Sequence, residues 1–444
     1  LNEKYAAGPW RSLDTGFRGE YWSKAIWLFH DSPTLTEAFL QKYYDSMILQ
    51  AEHIMECHSA YRYMSNWGVI ENHGLFEIGV CLPQSEKTKQ FIAFAVKNLE
   101  VQVRMQIMPD GVHWEQSPMY HNEVLHCLLD VILLAKRNDI ALPDVILRQT
   151  EKMAMADVAW LKPDHHIVMM GDSDDVDVRD RISVAAYLFL NPVLRFGGFD
   201  RLDYESIWDL GMKAGEEYAG MERRKPDFTS LFLEHSGNTY FRSDWSERAN
   251  FLHLHSGTMG AGHGHSDKLN IDLVVNGEDV LMDGGRYTYV SGPKRFSYKD
   301  PSGHNTITVD DLPFTVCKDS WECSKLSQPV KENFRCTKLA EFAQAGQLGY
   351  MDLPSGVYVN RKVVYIKPDL YVLADEMYTG DRHTYQQYFH FNNHGTVTQN
   401  APGEKKFPCV AYRGKMAEAD FYFVSAQATL QDIIMWKRKI RCAR

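Results

Sequence analysis

The stretch Gly262–Tyr289, GHGHSDKLNIDLVVNGEDVLMDGGRYTY, decides how the chain is read. Its centre alternates apolar and polar residues, the period of a half-buried strand. Asn276-Gly277 is the residue pair that a two-residue type I′ turn demands. With that loop, Val275 pairs with Glu278, Leu273 with Val280 and Ile271 with Met282. Leu269, Ile271, Leu273, Val275, Val280 and Met282 then share one apolar face. A Gly-rich approach carries His263, His265 and Asp267, and the far strand runs out into Asp283, Arg286, Tyr287 and Tyr289. An H-x-H pair can hold a metal, or divide ligation and catalysis between its members. Simple register sets Asp283 opposite Asn270, so the glycines must curl the chain back before His265 can meet it.

Downstream, SGHNTITVDD places His304 and Asn305 at the head of a strand, and VYVNRKVVYI, LYVLADEMY and ADFYFVSA supply further strand patterns. An antiparallel β-sandwich over residues 231–444 is the expectation. The charged, Pro-containing GMERRKPD reads as a linker, placed at 219–230. Residues 1–218 read as helical. Ser85 caps a helix over Glu86–Met108 that Pro109-Asp110-Gly111 stops. Ser117-Pro118 opens the next, and others are expected near 144–160, 178–190 and 203–218. Helices alternating with polar loops suit a bundle or an (α/α) toroid, so the fold class is α+β and multidomain.

The 444 residues, 44% of them hydrophobic, can build two or three cores. A net charge of −10 argues against a nucleic-acid partner. An acidic substrate would need a local basic cleft, for which Arg286, Lys294 and Arg295 are the candidates. The eight cysteines form no CxxC pair, and Cys127 and others in apolar helical stretches read as buried free thiols. No apolar run is long enough for a membrane span. LNEKYAAGPW has neither basic nor apolar signal regions. That slightly favours a cytoplasmic location, or a periplasmic or secreted one if a leading segment was removed.

Two helical motifs carry chemistry. SNWGVIENHGLFEIG (65–79) gathers Asn66, Trp67, Glu71, Asn72, His73 and Glu77; Asn and His can donate hydrogen bonds to a substrate carboxylate. Its ordinary alternative is a helix start with capping polar groups. DGVHWEQSPMYH (110–121) holds Glu115 and sets Tyr120 in the first turn of a helix. A phenol there can act as acid or base if a neighbour tunes it, whereas an isolated Tyr at a helix end is more often packing. GDSDD (171–175) offers three carboxylates, read first as helix capping and second as the acid and base of a hydrolase.

Together these motifs resemble the heparinase II/III-like polysaccharide lyases. The helical half, through SNW and PDG…E-x-S-P-x-Y-H, is similar to their heparan-sulfate branch. The resemblance implies a helical toroid, complete or abbreviated, followed by a β-sandwich, and cleavage of a uronic-acid glycan by β-elimination. It implies Asn66, Tyr120 and His263 as catalytic residues. Asn66 neutralises the uronate carboxylate, Tyr120 protonates the leaving oxygen or also serves as base, and His263 is the partner base or acid. Trp67, Asn72, His73, Glu115, Arg286 and Tyr287 are implied substrate contacts in a cleft between the domains. His265, Asp283 and His304 are implied ligands of a divalent metal (Zn, Ca or Mn) with a mainly structural role. NHG at Asn72–Gly74 also resembles the alginate-lyase branches, which leaves Asn66 or Asn72 to face the carboxylate. The short helical half leaves endo or exo action open. The rival readings are an alginate or oligoalginate lyase, a glycoside hydrolase using Asp172, Asp174 or Glu115, a metal hydrolase built on His263, His265 and Asp283, and a non-catalytic glycan binder.

Overall fold

The helical half opens with α1 (Ser12–Leu28), α2 (Glu37–Cys57) and α3 (Asn66–Cys81). Thr36 and Ser65 cap the latter two by accepting the Phe39 and Trp67 N–H groups. At α4 (Glu86–Gln106) Ser85 and Thr88 close a reciprocal capping box, as the expected cap requires. Then come α5 (Pro118–Arg137), α6 (Asp144–Trp160), α7 (Arg179–Phe189) and α8 (Pro192–Gly197). The single helix expected over 203–218 is two, α9 (Tyr204–Leu210) and α10 (Met212–Ala219). Gly211 lies between them at φ 89°, which ends one helix and starts the next.

This computed structural model describes residues 8–400 and 407–424. The N-terminal LNEKYAA, the last two residues of ADFYFVSA and Cys442 lie outside that range. The chain divides into two units. The first takes Leu1–His113, Tyr120–Ala156 and Arg179–Arg224; the second takes Trp114–Met119, Asp157–Val178 and Lys225–Arg444. Two short pieces of the first half of the chain, including Glu115 and Asp172, therefore group with the strands. None of the described helices is long and apolar enough to cross a membrane.

In the helical unit α3 is the inner helix, buried from Asn66 through Gly79 apart from Trp67. It packs on α1, α2 and α4. The approach to α1 is backbone on backbone: a Cβ on Gly74 would run into the Gly16 carbonyl, and one on Gly19 into Gly74. Only glycine permits that spacing.

In the strand unit β1 (Leu231–Leu233), β2 (Asn238–Arg242), β3 (Phe251–His255), β4 (Asn270–Val275) and β5 (Glu278–Leu281) form a five-stranded antiparallel sheet in chain order. After β6 (Ile307–Val309) and the short hairpin β7 (Val316–Cys317) and β8 (Cys323–Lys325), four strands make a second antiparallel sheet. These are β9 (Pro329–Cys336), β10 (Ala340–Tyr350), β11 (Val357–Ile366) and β12 (Leu370–Tyr378). Phe241, Leu252, Leu254, Ile271 and Leu273 of the first sheet share one core with Ala343, Ala345, Val357, Val359 and Val363 of the second. That is a sandwich.

The β4–β5 turn forms as expected, with Asn276 and Gly277 at φ 48° and 81°. The register beyond it does not follow the simple count. Leu273 pairs with Leu281, not Val280, because a bulge adds one residue to β5. Val280 and Leu281 both enter the core, and Met282 leaves the face expected for it.

Gly74→Ala is expected to destabilise the chain by about 1–3 kcal/mol, since the clash is with backbone that must shift. Urea unfolding of the variant would show a lower midpoint; an unchanged midpoint would mean that α1 and α3 separate without cost.

Candidate active site

His263 sits on the Gly-rich approach to β4. The Asp172 N–H donates to its carbonyl at 2.8 Å, and a Cβ on the following Gly264 would run into the Met259 carbonyl. Its ring Nδ1 lies 2.6 Å from a carboxylate oxygen of the buried Glu115. An ionised carboxylate only accepts, so Nδ1 carries the proton and Nε2 is the acceptor nitrogen. Trp321 meets the ring edge-on at a centroid distance of 5.4 Å and stacks on Tyr289 at 5.1 Å. The result is a partly exposed imidazole with its tautomer fixed by a carboxylate and its sides walled by aromatic rings. Glu115 thus holds the His263 ring from a buried position.

The bulge and the curled approach bring His265, Asp283 and His304 together, one ligand atom from each lying within 4.8 Å of the others. His304 Nδ1 is 2.7 Å from Asp283. His265 Nδ1 and His304 Nε2 are buried without a hydrogen-bond partner. Two orphaned imidazole nitrogens beside a carboxylate are what a divalent ion would satisfy, so these residues fit the metal they were expected to hold. Behind them Asp172 accepts from His265 Nε2 at 2.8 Å and from Arg295 Nη2 at 2.9 Å. Such an outer partner turns the ring so that its other nitrogen faces the ion.

Several expectations change here. Asp172 is neither a helix cap nor an acid catalyst; it is fully buried between His265 and Arg295. Arg295 is likewise fully buried and adds nothing to a basic cleft. Arg286 pairs with Asp174 and lies over Tyr289. Tyr287 stacks on Tyr298 at 4.9 Å, with the exposed Lys294 over its face. Trp321 and Tyr298 were not singled out in the sequence, where only a tryptophan in a polar loop hinted at the first.

The helical unit holds the other candidates. Asn66 occupies the first position of α3 and Tyr120 the first turn of α5, and one relay ties the two helix starts together. His121 Nε2 donates to the Met153 carbonyl at 3.1 Å, and its Nδ1 accepts the His113 N–H at 3.2 Å. His113 Nε2 donates to Gln106 at 2.9 Å, and Gln106 in turn donates to the Ser65 carbonyl at 3.1 Å. Burial, with the nearby His113 adding to it, pushes His121 down to about 3, so the ring stays neutral. Trp67 is half-buried, with Arg62 at 5.0 Å from its ring.

Asn66, Asn72 and His73 are all buried. Asn72 donates to the Gly68 carbonyl at 2.7 Å. His73 Nε2 lies 3.4 Å from Asp130 and 3.5 Å from Glu77. Glu20, His126 and Asp130 continue this buried cluster, and Lys24 donates to Asp130 at 2.6 Å. Here an ammonium already supplies the counter-cation.

Removing the Glu115 carboxylate should free the His263 ring to rotate and to change tautomer. Glu115→Ala is expected to lower kcat/KM about 10–100-fold on any glycan the chain turns over, an outer-partner effect. A rate within twofold of the parent would refute the pairing. His121 titrates in the other direction from a stabilising cation. Its folded value of about 3 lies below the ordinary 6.5, so the unfolded chain binds the extra proton and stability falls as pH drops from about 6.5 toward 3. At roughly 1.4 kcal/mol per unit the loss amounts to a few kcal/mol. His121→Asn should flatten that acid limb in urea midpoints measured across pH; an equally steep limb would assign it to other groups.

Comparison with known proteins agrees with this architecture. Residues 2–192 match the family model for the heparinase II/III N-terminus, and residues 225–429 match the heparinase II/III-like C-terminal model. A heparin-sulfate lyase of Pedobacter heparinus is 25% identical over 341 residues, covering 72% of this chain and 47% of the relative. A second, from Bacteroides stercoris, is 22% identical over 383 residues, covering 83% of this chain and 51% of the relative. The chain thus spans about half the length of the curated relatives it matches. Among solved structures, a heparan sulfate lyase HepC mutant from Pedobacter heparinus aligns with a TM-score of 0.71 at 20% identity, over 91% of this chain and 59% of that one. A heparinase III structure aligns with a TM-score of 0.74 at 17% identity, over 91% and 60%. The fold is that of the heparinase III helical toroid followed by a β-sandwich. The chain belongs to the heparinase II/III-like family.

Proposed function

We propose that this chain is a polysaccharide lyase that cleaves heparan sulfate or a related uronic-acid glycosaminoglycan by β-elimination. One observation carries the choice against a hydrolase. Each carboxylate that a hydrolase would need is already engaged by a basic group: Glu115 by His263, Asp172 by His265 and Arg295, Asp174 by Arg286. A paired-carboxylate mechanism would need two of them turned to the sugar.

The chemistry left to the chain is that of Asn, Tyr and His. The Asn66 side-chain amide donates to the uronate carboxylate and stabilises the charge that develops when the C5 proton leaves. His263 Nε2, made the acceptor by the Nδ1–Glu115 bond, takes that proton. The C5–H electron pair forms the C4=C5 double bond as the C4–O4 bond breaks. The Tyr120 phenol delivers its proton to the departing O4. Arg286, Tyr287 and the exposed Lys294 are the polar contacts for the glycan on the sandwich unit. A divalent ion at His265, Asp283 and His304 has a structural part. Two imidazoles and one carboxylate suit zinc or manganese better than calcium, which takes oxygen ligands.

The test is the ultraviolet absorbance of the unsaturated uronate, with heparan sulfate, hyaluronan, chondroitin sulfate and alginate offered separately. Absorbance should rise with heparan sulfate, and Tyr120→Phe and His263→Ala should each lower the rate at least about 100-fold while circular dichroism stays that of the parent. Reducing ends without absorbance would replace the lyase with a hydrolase, and either variant at near-normal rate would remove the role given to that residue.

A further inference from the structure

The sequence shows no CxxC pair among its cysteines, yet the fold brings two of them together. Cys317 ends β7 and Cys323 begins β8, and the ladder sets them directly opposite each other. Their Sγ atoms are 3.0 Å apart and both residues are partly exposed. Directly opposed residues of an antiparallel pair have Cα atoms about 4.5–5.5 Å apart, inside the range that a disulfide spans. We propose that Cys317 and Cys323 are a disulfide-forming site, and that the cross-link staples the loop carrying Trp321 beside His263.

The five residues between them form a tight loop. The Lys318 N–H donates to the Glu322 carbonyl at 2.8 Å, and Asp319 accepts the Trp321 and Glu322 N–H groups at 2.7 and 2.8 Å. Ser320 fastens the loop to its surroundings. Its hydroxyl donates to the Tyr289 carbonyl at 2.7 Å, and its own carbonyl accepts from Lys299 at 3.1 Å. Trp321 is 51% exposed and is held by one stack on Tyr289 and one edge contact to His263. A two-residue β7 is a weak anchor for a ring in that position, and a covalent bond at the base of the loop would limit its excursions.

The pair is also suited to exchange. The Cys317 thiol, donating to Cys323, holds Cys323 below the ordinary thiol range, and the Lys299 ammonium pulls the same way. The Cys323 thiolate attacks one sulfur of a low-molecular-weight disulfide such as oxidised glutathione and expels the first thiol. Cys317 then gives up its proton and attacks the Cys323 sulfur of the mixed disulfide, expelling the second. Two protein thiols lose two hydrogens, and the reagent gains them as two thiols.

The site itself is read by mass and does not depend on the lyase reading; only the effect of the clamp on rate does. The full chain is equilibrated with oxidised or reduced glutathione, alkylated and digested. After oxidation the peptides bearing Cys317 and Cys323 should be linked, lighter by two hydrogens and closed to alkylation, with Cys336 alkylated in the same sample. Full alkylation of both after oxidation overturns the site. On the glycan that gives unsaturated product, reduction should raise KM about three- to tenfold with kcat nearly unchanged, the effect of losing a pre-ordered side chain. The Cys317→Ser/Cys323→Ser double variant should match the reduced chain and ignore the redox state. A cross-link that leaves KM unchanged overturns the clamp and keeps the disulfide. A double variant that still responds to glutathione assigns the response to another cysteine and overturns the clamp as well.

Discussion

The Asp172 carboxylate holds the sandwich site together. It is fully buried, where an unpaired charge would be very costly, and it is shared between His265 and the equally buried Arg295. The side chain sets the rotation of His265 and so decides which nitrogen is offered to an ion. The backbone N–H of the same residue holds the carbonyl of His263. Arg295 reaches onward to the carbonyls of Arg286 and Ser320, the second of which belongs to the Trp321 loop. One acidic residue thus governs the orientation of His265, the placement of His263 and the aromatic wall beside it. Losing one partner of such a pair costs about 3–5 kcal/mol, and here the loss would spread to every group named.

The helical unit joins its two candidate positions through a chain of hydrogen bonds. Asn66 and Tyr120 lie at two helix starts, and His121, His113 and Gln106, joined by hydrogen bonds, run between them. Such a relay connects buried positions, provided that every donor finds an acceptor. The charged cluster around Asp130 lies on the inner helices instead, where Glu20 is held at about 2. Burial alone would raise it, but the His126 bond and the His73 and Lys24 charges outweigh that. His73 and Asn72 belong to this packed interior, and Asn66 is itself buried.

Much of this was legible in the residues. The Asn-Gly turn and the Ser85 cap announced themselves because each depends on local spacing, while the meeting of His265, Asp283 and His304 was implied by the family resemblance. What escaped reading depends on partners remote in sequence. Asp172 lies 93 positions from His265, and a run of acids looks the same whether it caps a helix or anchors a ligand. Arg295 sits in a short polar helix that suggests a surface, and only the pairing makes its burial tolerable. The Cys317–Cys323 pair emerges only once strand register is known. Glu115 was singled out by its motif, but its pairing with His263, 148 positions away, depends on the fold.

The bulge in β5 has a consequence for anyone transplanting this hairpin into another sandwich. Side chains alternate faces along a strand, so each added or deleted residue reverses the orientation of all that follow. By spending one extra residue at Val280 the chain resets that parity before Asp283 is reached. The carboxylate of the ligand set is therefore encoded by a count as well as by an identity. A graft that copied the motif letters but regularised the strand would carry the correct residues, facing the wrong way.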